Sequence, residues 1–379
     1  MIDYATLRVI WWAILGVLLI GFAIMDGMDL GVAILHPFVA KNDTQRRVSI
    51  NTIAPVWEGN QVWFILGGGA AFAAWPLLYS VSFSGFYLAM LLVLLGLILR
   101  PVSMTFRGKL LSLGWRRSWD WLFFISGLFP SLLFGVAFGN LLLGAPFHLT
   151  QAMQGYYEGG LIGLLHPFAL LCGLVSVAMM IMQGGAWLGY KCDGDVSLRA
   201  RFIAAVAALI LILLFSLAGL CVASTIDGYR LVYEPDTSGP SNPLFKVVIS
   251  ETGAWLANYQ NYKWSIAAPC LAFAGALLAA VLLSRRASKL ALFSSSLSVA
   301  GVVATAGFSM FPFLMPSSTH PNHSLTIWDS SSSAQTLGIM LVAVVFFLPI
   351  ILAYTSWVYH VLRGPVTERA IEQGEDYFY

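Results

Sequence analysis

Residues 9–39 read VIWWAILGVLLIGFAIMDGMDLGVAILHPFV. A helix needs about 20 mostly apolar residues to cross a bilayer, and this run is longer than that. It is also too long for the apolar core of a cleavable signal peptide, and it lacks an A-x-A-like cleavage site. We therefore expect it to form a first membrane-spanning helix, one that carries two carboxylates, Asp26 and Asp29, inside the apolar stretch.

The composition of the whole chain agrees with a membrane protein. Of its 379 residues, 59% are hydrophobic and only 10% are charged, whereas about 25% are charged in an average globular protein. The net charge of +2 gives no reason to expect binding to nucleic acid. None of the four cysteines has C-x-x-C spacing, so we expect all of them to act as small apolar side chains.

Nine segments are long and apolar enough to be predicted as spans, which indicates an all-α polytopic membrane protein. The chain, residues 1–379, is expected to form a single integral membrane domain, because the connections are short and leave no room for a soluble domain. The longest connection runs over residues 225–263. The predicted spans are 8–35, 50–75, 82–102, 118–144, 161–189, 202–224, 264–284, 290–315 and 335–361.

The positions of the basic residues predict the orientation. With the N-terminus outside, 16 of the 20 Lys and Arg residues fall on the inner side of the membrane. The other four, Arg8, Arg230, Lys246 and Lys263, fall outside. Basic residues are enriched in cytoplasmic loops, so this distribution predicts an outer N-terminus and an inner C-terminus. Nine is an odd number of spans, so the two termini are also expected to lie on opposite sides of the membrane.

Ionisable side chains inside the predicted spans are the main functional candidates, because each costs about 2.5–3.5 kcal/mol to insert. Asp26 and Asp29 are three residues apart, which places them on one helix face. At 1.5 Å per residue, Asp29, Glu58 and Asp26 would lie roughly 10, 13 and 15 Å from the inner end of their spans. Arg100 closes the third span on the same side.

Two interpretations of this acidic group remain open from the residues alone. Desolvated carboxylates that lead inward from the cytoplasm suit a proton relay. A buried ion pair, for example between Arg100 and Asp29, would instead hold helices together. Asp120 opens the fourth span at the same end and fits either interpretation.

The histidines do not predict a haem site in this chain. No two of them lie inside spans at the same depth, as a bis-histidine haem would need. The spacing His320-x-x-His323 could hold a metal, but the loop offers no clear third ligand. The residues alone therefore do not distinguish a proton-coupled transporter from a subunit of a bioenergetic complex. The six histidines are His36, His148, His166, His320, His323 and His360.

Several motifs together resemble subunit II of the cytochrome bd-type quinol oxidases. The resemblance extends in order over nearly the whole chain, and the combination of motifs is highly specific. The matching segments are MDGMDLG (25–31), NDTQRR (42–47), WEGNQVW (57–63), AAWP (73–76), FSGFY (83–87), RP (100–101), FGN (138–140) and FPFLMPSS (311–318).

The resemblance implies a fold of two four-helix bundles, residues 1–145 and 160–316, with a peripheral ninth helix at 335–361. It implies a heterodimer with a subunit I that carries two b-type haems and one d-type haem, often joined by a one-span small subunit. Such a complex lies among the lipids of the bacterial inner membrane. It oxidises quinol and reduces O2 to water with cytoplasmic protons, and it is electrogenic without pumping. Subunit II itself holds no haem.

The resemblance also implies roles for particular residues. The proton-relay positions map onto Asp26, Asp29 and Glu58, although some members of the family carry aspartate in place of Glu58. Trp57 and Arg100 are candidates for a quinone-binding surface or an ion pair. Two alternatives are a proton-coupled secondary transporter and a purely structural scaffold subunit. The transporter would be favoured by broken helices at corresponding positions of two inverted halves, and the sequence has no such pair.

Overall fold

The computed structural model describes residues 2–233 and 236–373, and most of them are helical. The predicted ends of the chain, Met1 outside and Tyr379 inside, lie beyond the described residues. The helices are α1 (Tyr4–Val39), α2 (Asp43–Asn51), α3 (Trp57–Ala74), α4 (Pro76–Gly85), α5 (Tyr87–Arg107), α6 (Leu113–Leu143), α7 (Pro167–Lys191), α8 (Gly194–Ser224), α9 (Ala257–Asn261), α10 (Ala267–Ser284), α11 (Ser288–Met310), α12 (Ala334–Val361) and α13 (Glu368–Glu372).

Within the described residues, eight helices are long and apolar enough to cross a membrane, one fewer than the nine predicted spans. They are α1, α5, α6, α7, α8, α11, α12 and α10 with the 3₁₀ turn that precedes it. The predicted span that is missing from these eight is the second one, which contains α3. Its 18 residues begin with the polar stretch Trp57-Glu58-Gly59-Asn60-Gln61.

Four predicted spans include residues that lie outside a continuous helix. The second span, 50–75, is not one helix, because α2 ends at Asn51 and turns fill residues 52–56 before α3 begins. The third, 82–102, is divided at Phe86 between α4 and α5. The fifth, 161–189, starts too early, because α7 begins at Pro167. The eighth, 290–315, ends early: α11 stops at Met310, and Pro312 lacks the N–H that a continuing helix would need.

The helix α1 packs against α3, α6, α7 and α11 and is central to the fold. Its crossing with α7 is a direct backbone contact at two glycines. A β-carbon on Gly31 would lie 1.9 Å from the carbonyl oxygen of Met180, and one on Gly184 would lie 2.4 Å from the carbonyl carbon of Gly31. Small residues allow such close approach between membrane helices. Further out, α5 packs on α6, α8 on α7, and α10 on both α8 and α11.

Three antiparallel hairpins occur in the loops that the structure describes, so the all-α prediction is incomplete outside the spans. The strands pair as β1 (Phe147–Leu149) with β2 (Gly155–Tyr157), β3 (Asp227–Tyr233) with β4 (Val247–Thr252), and β5 (Phe313–Met315) with β6 (Leu325–Thr326). Most of these strands have only two or three residues, too few for an alternating pattern to be recognised in the sequence.

The helix α12 is the most exposed of the long helices. Leu337, near its start, is its one buried residue, and the rest of the helix is partly or fully exposed. An apolar helix with so little buried surface is expected to lie at the edge of the bundle in contact with lipid or another chain.

Candidate functional site

A buried ion pair joins α1 to α5 inside the predicted membrane region. Nη1 of Arg100 donates to Oδ1 of Asp26 at 2.5 Å, and Nη2 donates to Oδ2 at 3.0 Å. Both side chains are completely buried. The guanidinium and the carboxylate therefore meet as two planar groups, which is the strongest arrangement of an arginine with an acid. The sequence predicted an ion pair for Arg100 but gave Asp29 as the example of its partner.

Asp29 stands beside this pair with fewer contacts. Its Oδ2 lies 3.7 Å from Nη1 of Arg100 and accepts a hydrogen bond of 3.0 Å from Nδ2 of Asn60. Its Oδ1 is buried and has no hydrogen-bond partner among the described residues. Two carboxylates thus share one guanidinium, and Asp29 holds the weaker position. A buried polar atom without a partner is uncommon and needs a structural or functional explanation.

A tyrosine from the last long helix completes the cluster. The hydroxyl of Tyr359 on α12 donates to Oδ1 of Asn60 at 2.8 Å. The ring of Tyr359 also meets the ring of Trp187 on α7 edge to face, with centroids 5.7 Å apart. A hydrogen-bonded chain therefore runs from Tyr359 through Asn60 to Asp29, and it connects α12, α3 and α1.

A second buried network surrounds Asp120 on α6. One carboxylate oxygen accepts from Nε2 of His36 at 2.9 Å and from Nε of Arg107 at 2.6 Å, and the other is paired with Arg46. Nδ1 of His36 hydrogen-bonds with the hydroxyl of Ser49 at 3.3 Å. His36 and Asp120 are both buried. The network ties α1, α2, α5 and α6 together at one end of the bundle.

This network continues to the surface through Asp43. Nη2 of Arg107 donates to one oxygen of Asp43 at 2.8 Å, and Nη1 of Arg116 lies 2.9 Å from the other. The Asp43 side chain is 45% exposed, so the network reaches solvent. A polar cavity of about 340 Å³ opens beside it, lined by Asp43, Arg47, Ile50, Met104, Thr105, Arg107, Gly108, Lys109 and Arg116.

The two networks lie along the same faces of two helices. Asp29 and His36 are seven residues apart on α1, and Arg100 and Arg107 are seven residues apart on α5. Seven residues are close to two helical turns, so each pair shares a face at an axial separation of about 10 Å. Polar groups therefore occur in two layers, from the solvent-exposed Asp43 to the enclosed Asp29.

The structure separates Glu58 from the other predicted relay residues. Glu58 lies in the first turn of α3 and is exposed, and it pairs with no basic side chain among the described residues. The continuous helix from Ser49 that the sequence predicts around Glu58 is wrong, because turns at residues 52–56 separate α2 from α3. Trp57, the other candidate on this turn, is half-buried.

The sequence did not single out Asn60 or Tyr359, although both belong to the cluster around Asp29. Asn60 had a signal, since it is an amide within a predicted span. Tyr359 had none, because a tyrosine near the end of a span is typical of interfacial anchoring. His36, for which the sequence predicts no haem role, is buried and contacts both Asp120 and Ser49.

The histidines of the described residues do not fit a haem. Both ring nitrogens of His36 are engaged, one by Asp120 and the other by Ser49, so neither is free to ligate iron. The remaining histidines lie outside the buried interior, either in loops between helices or exposed at helix ends: His148, His166, His320, His323 and His360.

Comparison with known proteins gives the family directly. The model of the family described as cytochrome bd terminal oxidase subunit II matches residues 7–362. The chain belongs to the cytochrome bd terminal oxidase subunit II family. It is therefore a subunit of a respiratory quinol oxidase of the cytochrome bd type and a multi-pass protein of the bacterial inner membrane.

Relatives in this family match along their full length. The chain is 48% identical over 379 residues to cytochrome bd-I ubiquinol oxidase subunit 2 of Escherichia coli (strain K12), covering 100% of both. It is 28% identical over 369 residues to cytochrome bd ubiquinol oxidase subunit 2 of Bacillus subtilis (strain 168), covering 96% of this chain and 98% of the other. A solved chain of the bd oxidase from Geobacillus thermodenitrificans has the same fold, with a TM-score of 0.63 at 17% identity over 94% of this chain and 98% of that chain.

Proposed function

We propose that this chain supplies a proton path from the cytoplasm, and structural support, to a partner subunit that reduces O2 to water with electrons from quinol. The observation that supports this proposal most is the position of Asp29. It is a buried carboxylate, one of its oxygens has no partner among the described residues, and it lies at the enclosed end of the two polar layers, away from Asp43. A relay carboxylate must be able to accept a proton without breaking the ion pair and hydrogen bonds that hold it in place. Asp29 meets this condition better than Asp26, because Asp26 is held by both terminal nitrogens of Arg100.

The proposed path begins at the polar cavity beside Asp43 and passes the network of Asp120 and His36. It then crosses about two turns of helix to Asp29 and its partner Asn60. In this account Asp26 and Arg100 are positioning residues, because their mutual ion pair fixes the guanidinium that Asp29 faces at 3.7 Å. Asp29 would thus relay protons, and Asp26 would hold α1 to α5 through its ion pair with Arg100.

We propose that Glu58 lies where the partner subunit covers this chain. The helix α3 carries an exposed stripe that repeats every three or four residues and includes a carboxylate. A charged side chain facing lipid inside a span is costly, so such a stripe is expected to be covered by protein. Glu58 would then pass protons across the subunit boundary. The stripe consists of Glu58, Val62, Ile65, Gly69 and Phe72.

We propose that the haems, two of b type and one of d type, lie in the partner subunit I. This proposal is supported by the position of the histidines, since the buried His36 has no free ring nitrogen. When bound in the complex, the haems supply the electron transfer and the oxygen chemistry. This chain's residues would hold and move protons and pack against subunit I, and a one-span small subunit would complete the assembly.

Two places in this chain are candidates for binding a quinone. Arg100 is enclosed and both of its terminal nitrogens bond to Asp26, which leaves Trp57 as the candidate stacking surface on α3. A separate apolar cavity of about 650 Å³ lies between α1, α6, α7, α8, α10 and α11, with Phe64 of α3 also in its wall. We propose that it holds a long apolar chain, either the isoprenoid tail of a quinone or the acyl tail of a lipid.

We also propose the topology and the division of the helices. The N-terminus would lie outside and the C-terminus inside, with α3 and α4 completing the nine crossings together with the eight apolar helices. The first bundle would contain α1, α3, α5 and α6, and the second α7, α8, α10 and α11, with α12 peripheral. The central position of α1 against both α6 and α7 fits two bundles that meet at this helix.

The experiment that tests the function is expression of the chain with and without its partner. We expect the complex to contain haem of b and d type by absorption spectroscopy and to oxidise quinol with O2. The chain expressed alone should contain no stoichiometric haem. Haem in the isolated chain that disappears on substitution of a histidine would contradict the assignment. Quinol oxidation in the complex, together with slower turnover in proton-path variants, would separate this function from a secondary transporter.

A further inference from the structure

We propose that His148, Glu158 and His320 form a binding site for a divalent metal ion of the zinc type. The three residues lie in the loops at the end of the bundle where α6 stops and α7 begins. One ligand atom from each residue can be chosen so that all three lie within 4.8 Å of one another. The site is separate from the buried cluster at Asp29, and it does not depend on the proton path.

The first two ligands are brought together by a hairpin. His148 is the central residue of β1 and lies opposite Tyr156 of β2. Glu158 follows β2 directly, and its N–H donates to the carbonyl of Pro146 at 2.8 Å, which extends the pairing by one residue. His148 and Glu158 therefore sit at adjoining positions across the hairpin. Nδ1 of His148 lies 2.6 Å from Oε1 of Glu158.

The third ligand comes from a loop far away in the sequence, between β5 and β6. The ring centroid of His320 lies 5.4 Å from that of His148. The sequence spacing of His320 and His323 suggested a metal clip without a third ligand. In the structure the additional ligands come from the hairpin about 160 residues earlier, and His323 takes another role.

Hydrogen bonds hold the loop of His320 against the hairpin. The hydroxyls of Ser317 and Thr319 both donate to the carbonyl of Phe147 in β1, the latter at 3.1 Å. The N–H of Leu149 donates to Nδ1 of His323 at 3.1 Å. These bonds flank His148 on both sides, so the loop and the strand are fixed to each other before any metal arrives. Fixed ligands lose less conformational freedom on binding.

The neighbouring rings orient the two histidines. His323 stacks on His320 with an interplanar angle of 9° and centroids 5.2 Å apart. Tyr156 stacks on His148 at 16°, with centroids 5.6 Å apart. Because Nδ1 of His323 already accepts from the backbone, this ring supports His320 and is not counted as a ligand. Ligand rings that are held by surrounding groups are typical of metal sites.

The chemistry of the three ligands favours zinc over the hard cations. Two imidazoles and one carboxylate resemble the three-ligand sites in which zinc keeps a fourth position for water. Ligand atoms around tetrahedral zinc are about 3.3 Å apart, given metal–nitrogen distances of about 2.0–2.1 Å. Exposed side chains can reach this spacing by moving about 1.5 Å or less. Magnesium and calcium prefer oxygen ligands, so they should compete poorly.

The site is also open to solvent. The side chains of His148 and Glu158 are 34% and 37% exposed, so an ion from solvent can reach them. A bound ion would link the hairpin that follows α6 to the loop that precedes α12. It would thus connect two segments that are about 160 residues apart in the sequence.

The test is a count of zinc bound by the purified oxidase complex. Equilibrium dialysis against zinc chloride, in the presence of excess magnesium, is followed by elemental analysis of metal per haem. Wild-type complex is compared with His148→Gln and His320→Gln. His166→Gln is the matched control, because His166 is an exposed histidine at the same end of the bundle. Haem content and subunit ratio are measured in each variant to verify assembly.

We expect the wild type and His166→Gln to bind one more zinc ion per complex than either site variant, or to bind that ion at least tenfold more tightly. Zinc K-edge absorption of the wild type should report nitrogen and oxygen neighbours only. Equal zinc content in the wild type and both site variants would overturn the proposal. Loss in only one of the two variants, or an equal loss in His166→Gln, would also overturn it, because neither fits a shared site.

Discussion

Arg100 donates both of its terminal guanidinium nitrogens to the two carboxylate oxygens of Asp26, at 2.5 and 3.0 Å, in a place where neither side chain touches solvent. This pair links α5 to α1 and sets the position of the guanidinium that Asp29 shares. A buried ion pair contributes little net stability compared with apolar residues, but removal of one partner leaves an uncompensated charge.

Arg100→Ala should therefore impair assembly as well as rate. It would leave two carboxylates buried without a counter-charge, and breaking a buried pair costs about 3–5 kcal/mol. We expect less complex per membrane, less haem per subunit and a lower unfolding temperature. Arg100→Lys keeps the charge but loses the paired geometry, so it should be intermediate. Normal assembly of Arg100→Ala would mean that the cluster does not depend on this arginine.

Glu58→Gln tests the residue on the exposed stripe of α3. The amide keeps the shape and the hydrogen bonding of the side chain but cannot carry a proton. We expect O2 reduction to slow at least about tenfold, which corresponds to about 1.4 kcal/mol in the barrier. Haem content should stay near that of the wild type. Glu58→Asp should be mild, because it retains a titrating group. Full turnover per haem in Glu58→Gln would remove this residue from the path.

The apolar cavity can be tested by filling it. Gly219 lies at the exposed side of the cavity lining, and a β-carbon there would meet no atom within 4 Å, so a larger side chain fits at the cavity opening without displacing backbone. Gly219→Phe should reduce the quinone or phospholipid that organic solvent extracts from the purified complex. Gly338→Phe is the control, because Gly338 on α12 is equally open and lies outside the cavity lining. Equal extraction from both variants would show that no long chain occupies this cavity.

The proposed orientation can be tested with reporters at the two chain ends. The proposed nine crossings, together with the predicted inner concentration of Lys and Arg, would place the N-terminus outside and the C-terminus inside. A reporter active only outside the cytoplasm should work at the N-terminus and fail at the C-terminus. If it works at both ends, the number of crossings is even, and α3 with α4 does not form a ninth.

The sequence was sufficient to predict the membrane class, most of the spans and the charged residues that form the cluster. It succeeded there because long apolar runs and intramembrane charges are local signals. It failed at the second span, where turns at residues 52–56 separate two helices inside a stretch that was read as continuous. Because of that break, Glu58 lies in the first turn of a separate helix, α3.

Contacts between segments that are distant in the chain could not be predicted from the sequence. Nothing in the chain order connects Tyr359 with Asn60, or His320 with His148, because each contact depends on how helices and loops pack in three dimensions. The partner of Arg100 could be narrowed to Asp26 and Asp29 from their shared helix face. Only the geometry distinguishes the paired carboxylate from the one with a free oxygen.

The central claim is that Asp29 carries protons to the oxygen-reducing site, and Asp29→Asn tests it most directly. Turnover per haem and proton uptake from the inner side are measured with the complex in liposomes, with Asp195→Asn on the exposed start of α8 as the control. The substitution keeps a partner for Asn60 and removes the titrating group. We predict turnover at least tenfold slower than in the wild type and the control, with unchanged haem content. Wild-type turnover and proton uptake in Asp29→Asn would contradict the account.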